Sequence, residues 1–120
     1  MIKVFFVLRR RSDVTPEQFH DYWKNTHGPL VAKVPGLIRY MQHHTMSVPR
    51  PEYANDDPPI DGLVETWWES LEAAQRANES PEFAAVMADE AKFMGHSNRN
   101  VHAILVTESV TFVDHEQPGS

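Results

Sequence analysis

The sequence predicts an α+β domain in which elements ordered β-α-β-β-α-β build one four-stranded antiparallel sheet with the helices on a single face. Three observations carry this. Runs rich in β-branched and aromatic residues stand at both ends, Ile2 to Leu8 and Val101 to Val113. Two central runs, Leu37 to Ser47 and Gly62 to Glu69, read at period two and follow each other with no helical pattern between them. The stretches that join strands one to two and three to four instead repeat apolar residues at three- and four-residue steps, opened by Thr15-Pro16, Ser70 and Ser80-Pro81.

Taken in order, Ile2 to Leu8 is a buried strand closed by the polar run Arg9 to Asp13. Thr15 caps the first helix, Pro16 sits where its missing N–H is harmless, and Gln18 stands three residues past the cap, so the helix runs from Pro16 to about Lys33. Phe19, Tyr22, Trp23, Thr26, His27, Leu30, Val31 and Val34 share its inner face. Pro29 lacks a donor and must kink or restart this helix, opening space beside His27. Pro35-Gly36 stops it. The second strand then sets Ile38, Tyr40, Gln42 and His44 on one parity and Leu37, Arg39, Met41 and His43 on the other.

Val48 to Asp61 holds four prolines and no apolar period, a long surface loop suited to a lid. In the third strand Leu63, Glu65 and Trp67 face one way and Val64, Thr66 and Trp68 the other. Ser70 caps a helix over 71–78, and Ser80-Pro81-Glu82 starts another with Phe83, Val86, Met87, Glu90, Ala91 and Met94 on a common face, ended by Gly95. The strand Val101 to Val113 completes a single domain, 1–113, and 114–120 is a polar, poorly ordered tail. Two split βαβ units of this kind give a ferredoxin-like layer. Its strands are apolar on both parities, and with three tryptophans and six phenylalanines in the chain the open sheet face needs cover, most simply from a second copy. A homodimer is expected.

Composition narrows the function. A chain of 120 residues without cysteine has neither disulfides nor a thiolate nucleophile. No segment reaches the length of a membrane span, and a net charge of −6 with pI near 5.6 opposes binding to a phosphate backbone. A soluble, cytoplasmic protein without membrane or nucleic-acid partners is expected. Phosphate-binding loops, dinucleotide fingerprints and G-x-S-x-G elbows are missing from the sequence, and no spaced His pair signals a metal.

The chemistry-bearing candidates converge on the first helix and second strand. His27 lies on a desolvated aromatic face, where an imidazole can move a proton either way near neutral pH. Tyr40, Gln42 and His44 can supply a donor, an amide clamp and a second acid or base. Of the neighbours His43 and His44, one must point away from any pocket, and of Glu65 and Thr66 at most one can line it. Glu65 either orients an imidazole or pairs across strands with Arg39. His96 after a helix-ending glycine, His102 at the opening of a strand and His115 in the tail are weaker candidates.

Phe19, Tyr22-Trp23, His27-Gly28-Pro29-Leu30, Pro35-Gly36-Leu37, Tyr40, Gln42, His44, Asp61-Gly62-Leu63-Val64-Glu65 and Trp67-Trp68-Glu69-Ser70 together resemble the EthD family of the dimeric α+β barrel superfamily. The resemblance implies a pocket between sheet and helices. Relatives of the fold include cofactor-free decarboxylases, dehydratases and cyclases of aromatic polyketides, methylmuconolactone isomerases, quinone-forming monooxygenases and haem-using branches. His27 and Tyr40 match catalytic positions of the muconolactone-type isomerases, whereas the third-strand cysteine of those enzymes is replaced here by Thr66 or a neighbour. The expected function is a cofactor-independent acid–base lyase or isomerase for a small aromatic, polyketide-like or lactone substrate. His27, His44 and Tyr40 are its expected catalytic groups, and Tyr22, Trp23, Gln42, Thr66 and Trp68 its substrate contacts. The alternatives are a non-catalytic binder of a hydrophobic metabolite or haem, and an accessory protein of an oxygenase system.

Overall fold

Four strands in the order β2-β3-β1-β4 form one antiparallel sheet in the computed structural model, which describes residues 1–47, 60–95 and 103–115. β1 is Ile2–Leu8, β2 Leu37–His44, β3 Gly62–Trp68 and β4 Ile104–Val106. β3 lies between β1 and β2 and pairs antiparallel with both, so β1 and β2 run parallel, as a split βαβ unit requires. The chain has a ferredoxin-like fold. The long loop read as a lid falls on residues 48–59, and His96 and His102 also lie outside the described residues.

The first helical region is divided into three. α1, Pro16–Tyr22, begins with the expected capping box, Thr15 Oγ1 accepting from the Gln18 N–H and the Gln18 side chain from the Thr15 N–H. A π-helical turn, Trp23–His27, follows, and α2 covers Gly28–Val31. Pro29 has no N–H to continue the ladder, and the Gly28 N–H reaches back five residues to the Trp23 carbonyl. The expected restart therefore takes the form of a π turn carrying His27 at its end. α3 spans Leu71–Ala77 and α4 Pro81–Glu90, each capped by a serine hydroxyl, Ser70 and Ser80.

Two apolar clusters fill the space between helices and sheet. One joins Leu8, Phe19, Trp23, Val64, Phe93 and Met94, with Tyr22 and Tyr40 packed against it, and the other joins Val4, Val34, Trp68, Ala77 and Val86. Four sequence expectations need correction. Thr26, read on the inner helix face, is exposed on the π turn. The buried stripe of α4 continues through Val86, Asp89 and Phe93, while Met87 is 43% exposed and Ala91 also faces solvent. A bulge between Leu37 and Arg39 takes Ile38 out of register, leaving it 51% exposed and separating it from Tyr40, Gln42 and His44. The last strand is three residues long, because Val106 already pairs with Lys3 and the chain beyond it runs past the start of β1.

Candidate active site

His27 ends the π turn with its ring buried to 4% exposure against Phe93, at 4.8 Å between ring centres. Its Nδ1 lies 2.9 Å from Asp89 Oδ2, and the other carboxylate oxygen accepts from the Tyr22 hydroxyl at 2.6 Å. Lys92 Nζ stands 3.5 Å from Oδ1. Burial raises the Asp89 pKa, but the hydrogen bonds from Tyr22 and His27 outweigh it and the carboxyl is held below its usual range. An ionised carboxylate only accepts, so the proton of the neutral ring sits on Nδ1 and Nε2 keeps its lone pair. Burial lowers the His27 pKa, with Asp89 opposing in part, so the imidazole is neutral at pH 7. Tyr22, desolvated and facing that carboxylate, is pushed up to about 12 and stays a donor.

A second hydrogen-bonded set runs along the helix-facing side of β2. Gln42 Nε2 donates to the Trp23 carbonyl at 2.9 Å and to the Tyr40 oxygen at 2.8 Å. The Tyr40 hydroxyl is thereby an acceptor from Gln42 and retains its own proton for another partner. Burial raises the Tyr40 pKa against the hydrogen-bond influence of Gln42 and the Trp23 indole, keeping it protonated. The indole N–H itself is buried and completes no hydrogen bond of full geometry among the described residues. Gln42 Oε1 accepts from His44 Nε2 at 2.9 Å, and His44 Nδ1 lies 2.8 Å from Nδ1 of His20. Trp23 is sandwiched into this set, its ring 4.3 Å from that of His44. Burial lowers the pKa of both His20 and His44.

Tyr40, Gln42 and His44 thus share one face and are linked, with Trp23, into one network, while His27 and Tyr22 belong to the Asp89 cluster on the same side of the sheet. The two sets meet at Gly28: a Cβ there would stand 2.9 Å from Gln42 Nε2 and 3.2 Å from the Trp23 carbonyl. Thr66 and Trp68 are held elsewhere. Thr66 Oγ1 donates to the Val4 carbonyl and accepts from Trp68 Nε1, both at 2.8 Å, within the other apolar cluster. His43 and Glu65 take the opposite face, 3.1 Å apart, and Arg39 lies over the Trp67 ring rather than against Glu65.

Two participants escaped the sequence reading. Asp89 follows Val86 by three residues and precedes Phe93 by four, the spacing of a buried stripe, which was its signal. His20 precedes Trp23 by three and His27 by seven, on the flank of the stripe that carries them. Among the described residues no group of three or more His, Asp and Glu side chains is arranged to hold a metal ion.

The EthD domain model matches residues 11–97. The chain belongs to the EthD family. Its fold is shared by an EthD-family protein, named for ethyl tert-butyl ether, from Bacillus halodurans, 22% identical with a TM-score of 0.69 over 91% of this chain and 99% of that one. A dimeric protein of ferredoxin-like fold from Bacteroides fragilis is 14% identical with a TM-score of 0.62, over 88% and 93%. The cofactor-independent oxygenase SnoaB from Streptomyces nogalater is 18% identical with a TM-score of 0.59, over 95% and 100%. No curated protein matches the sequence. No helix among the described residues of this EthD domain is long and apolar enough to cross a membrane.

Proposed function

We propose that this EthD protein is a cofactor-independent acid–base enzyme, a lyase or isomerase, for a small aromatic, polyketide-like or lactone substrate bound between the first helical region and the sheet. The observation that carries the reading is the His27–Asp89 pair: a buried neutral imidazole, fixed in one tautomer by a buried carboxylate, with Nε2 as the basic nitrogen. In this reading Nε2 removes the proton from carbon or oxygen, Asp89 stabilises the imidazolium that forms, and Tyr40 donates to the oxygen on which charge develops. Gln42 positions that phenol, and His44 serves as the counterpart that returns a proton. Trp23, fully buried, packs behind this set and holds it in place.

The SnoaB likeness favours a second reading with the same first step. Removing a proton from a phenolic substrate leaves an electron-rich anion, from which a cofactor-independent oxygenation also starts. Product analysis under oxygen and under nitrogen separates the two, since only oxygenation stops without oxygen. The common step is tested by His27→Gln, assayed on phenolic acids and muconolactone-type lactones. Turnover is expected to fall by about 10²- to 10⁴-fold with unchanged circular dichroism; a full rate in the variant contradicts the proposal.

We also propose that two copies associate through the outer sheet face. Phe5, Val7, Met41, Leu63 and Trp67 present partly exposed apolar surface there, with the Trp67 ring under Lys3 at 4.5 Å and Arg39 at 4.9 Å.

A further inference from the structure

A cleft opens at the end of the sheet where β1 and β2 finish and α1 begins, with a volume of about 520 Å³. Its lining includes Arg9, Arg10, Glu17, His20, Met46 and Asp61. None of these belongs to the Asp89 cluster, and the size suits a one- or two-ring molecule.

The hydrogen bonding behind the cleft fixes what His20 offers it. The Trp23 carbonyl can only accept, so the Gln42 nitrogen must face it and the Gln42 oxygen must face His44. His44 Nε2 therefore carries a proton, and in the neutral ring its Nδ1 is bare. The 2.8 Å contact between the two Nδ1 atoms needs one proton, which then comes from His20. Neutral His20, one of the residues lining the cleft, is left with its lone pair on Nε2, the ring nitrogen not engaged by His44.

Charges of both signs line it, Arg9 and Arg10 with Glu17 and Asp61. Asp61 accepts from the Arg10 backbone N–H at 2.9 Å and lies 3.5 Å from its guanidinium. Burial, the largest influence, opposes a positive charge on His20, Asp61 and Glu17 favour it, and Lys24 opposes it. Arg9 and Arg10 bring positive charge to the same lining. If a proton passes from a ligand oxygen to His20, the carboxylates stabilise the imidazolium and the guanidiniums the oxyanion. A lining with two charges of each sign complements that ion pair better than it complements either a preformed anion or a cation.

We propose that this cleft binds a small molecule bearing an acidic hydroxyl, a phenol or an enol, and that His20 Nε2 takes its proton. The ligand O–H bond breaks, the His20 N–H bond forms, and the oxyanion remains beside the arginines. His44 is the positioning residue that holds the acceptor tautomer. The inference does not rest on the role proposed for His27; His44 is common to both readings, and the readouts at His20 separate them.

The test is a titration of 4-nitrophenol, colourless as the phenol and yellow as the phenolate, at pH 6. Excess protein should raise the yellow band well above the weak one seen in buffer alone. His20→Gln should keep the fold by circular dichroism, weaken binding about tenfold or more and abolish the rise. In the unaltered protein the His20 Cε1 proton resonance should move to its imidazolium position at saturation, a readout that holds even where the variant fails to fold. No binding, binding of the colourless phenol without the rise, or an equal rise in a folded His20→Gln protein overturns the proposal.

Discussion

Asp89 decides what His27 can do, and it does so through hydrogen-bond direction rather than charge alone. Its carboxylate takes one proton donor on each oxygen, Tyr22 and His27, which fixes the ring tautomer and leaves a base. The His27 pKa lies below its ordinary 6.5, so the rate should be flat above neutrality and fall on the acid side with an apparent pKa under that value. A pH–rate profile checks this; an acid limb centred above 6.5 contradicts it. The same shift has a stability sign. The unfolded chain takes up the proton first as pH falls, so the contribution of His27 is complete above about pH 6.5 and is lost as pH drops through the folded value. Tyr22→Phe removes one donor from Asp89 and should cost about 1 kcal/mol in urea unfolding, while shifting the acid limb upward as the carboxylate relaxes toward His27 alone. His27 was legible in the sequence because an imidazole on an aromatic stripe is conspicuous. Asp89 was not, because an aspartate between a valine and a phenylalanine at stripe spacing reads as a break in amphipathicity until its partner is known.

At the scale of elements the π turn is the device that sets the site. The Gly28 N–H reaches back five residues to the Trp23 carbonyl, so the turn ends on the buried His27 and brings Gly28 against Gln42. Gly28→Ala would place a methyl 2.9 Å from the Gln42 amide, displacing the group that bridges Trp23 and Tyr40. The expected cost is about 1–3 kcal/mol of stability, read as a lower urea midpoint, together with loss of turnover; a variant as stable and active as the parent would show that Gln42 is not fixed by this contact. The sequence foretold the interruption, since Pro29 cannot continue a helical ladder, but the form of the restart depends on which carbonyl the Gly28 N–H can reach in the folded chain. β2 shows the same division. Alternation correctly placed Tyr40, Gln42 and His44 together, whereas the bulge that ejects Ile38 arises from pairing with β3 and has no local sequence mark. The shortened β4 is likewise a matter of register, fixed by where β1 begins.

For the whole molecule, the order β2-β3-β1-β4 was readable because capped helices and period-two strands alternate in a pattern few topologies satisfy. The outer sheet face is the unfinished part. Its strands are apolar on both parities, and Trp67 lies on it between two cations. A stable dimer buries about 1,200–2,000 Å² in total. Sedimentation velocity at micromolar concentration should therefore report a dimer, and Trp67→Glu, which sets a carboxylate on that apolar face, should shift it to monomer. A monomeric parent protein contradicts the assembly.

The central claim, a neutral His27 held by Asp89 with its basic nitrogen at Nε2, is open to direct measurement without a substrate. Long-range ¹H–¹⁵N correlation of the histidine rings should show Nδ1 of His27 protonated and Nε2 bare at pH 7, with titration only below pH 6.5. An Nε2-protonated ring, or an imidazolium persisting above neutrality, would contradict it.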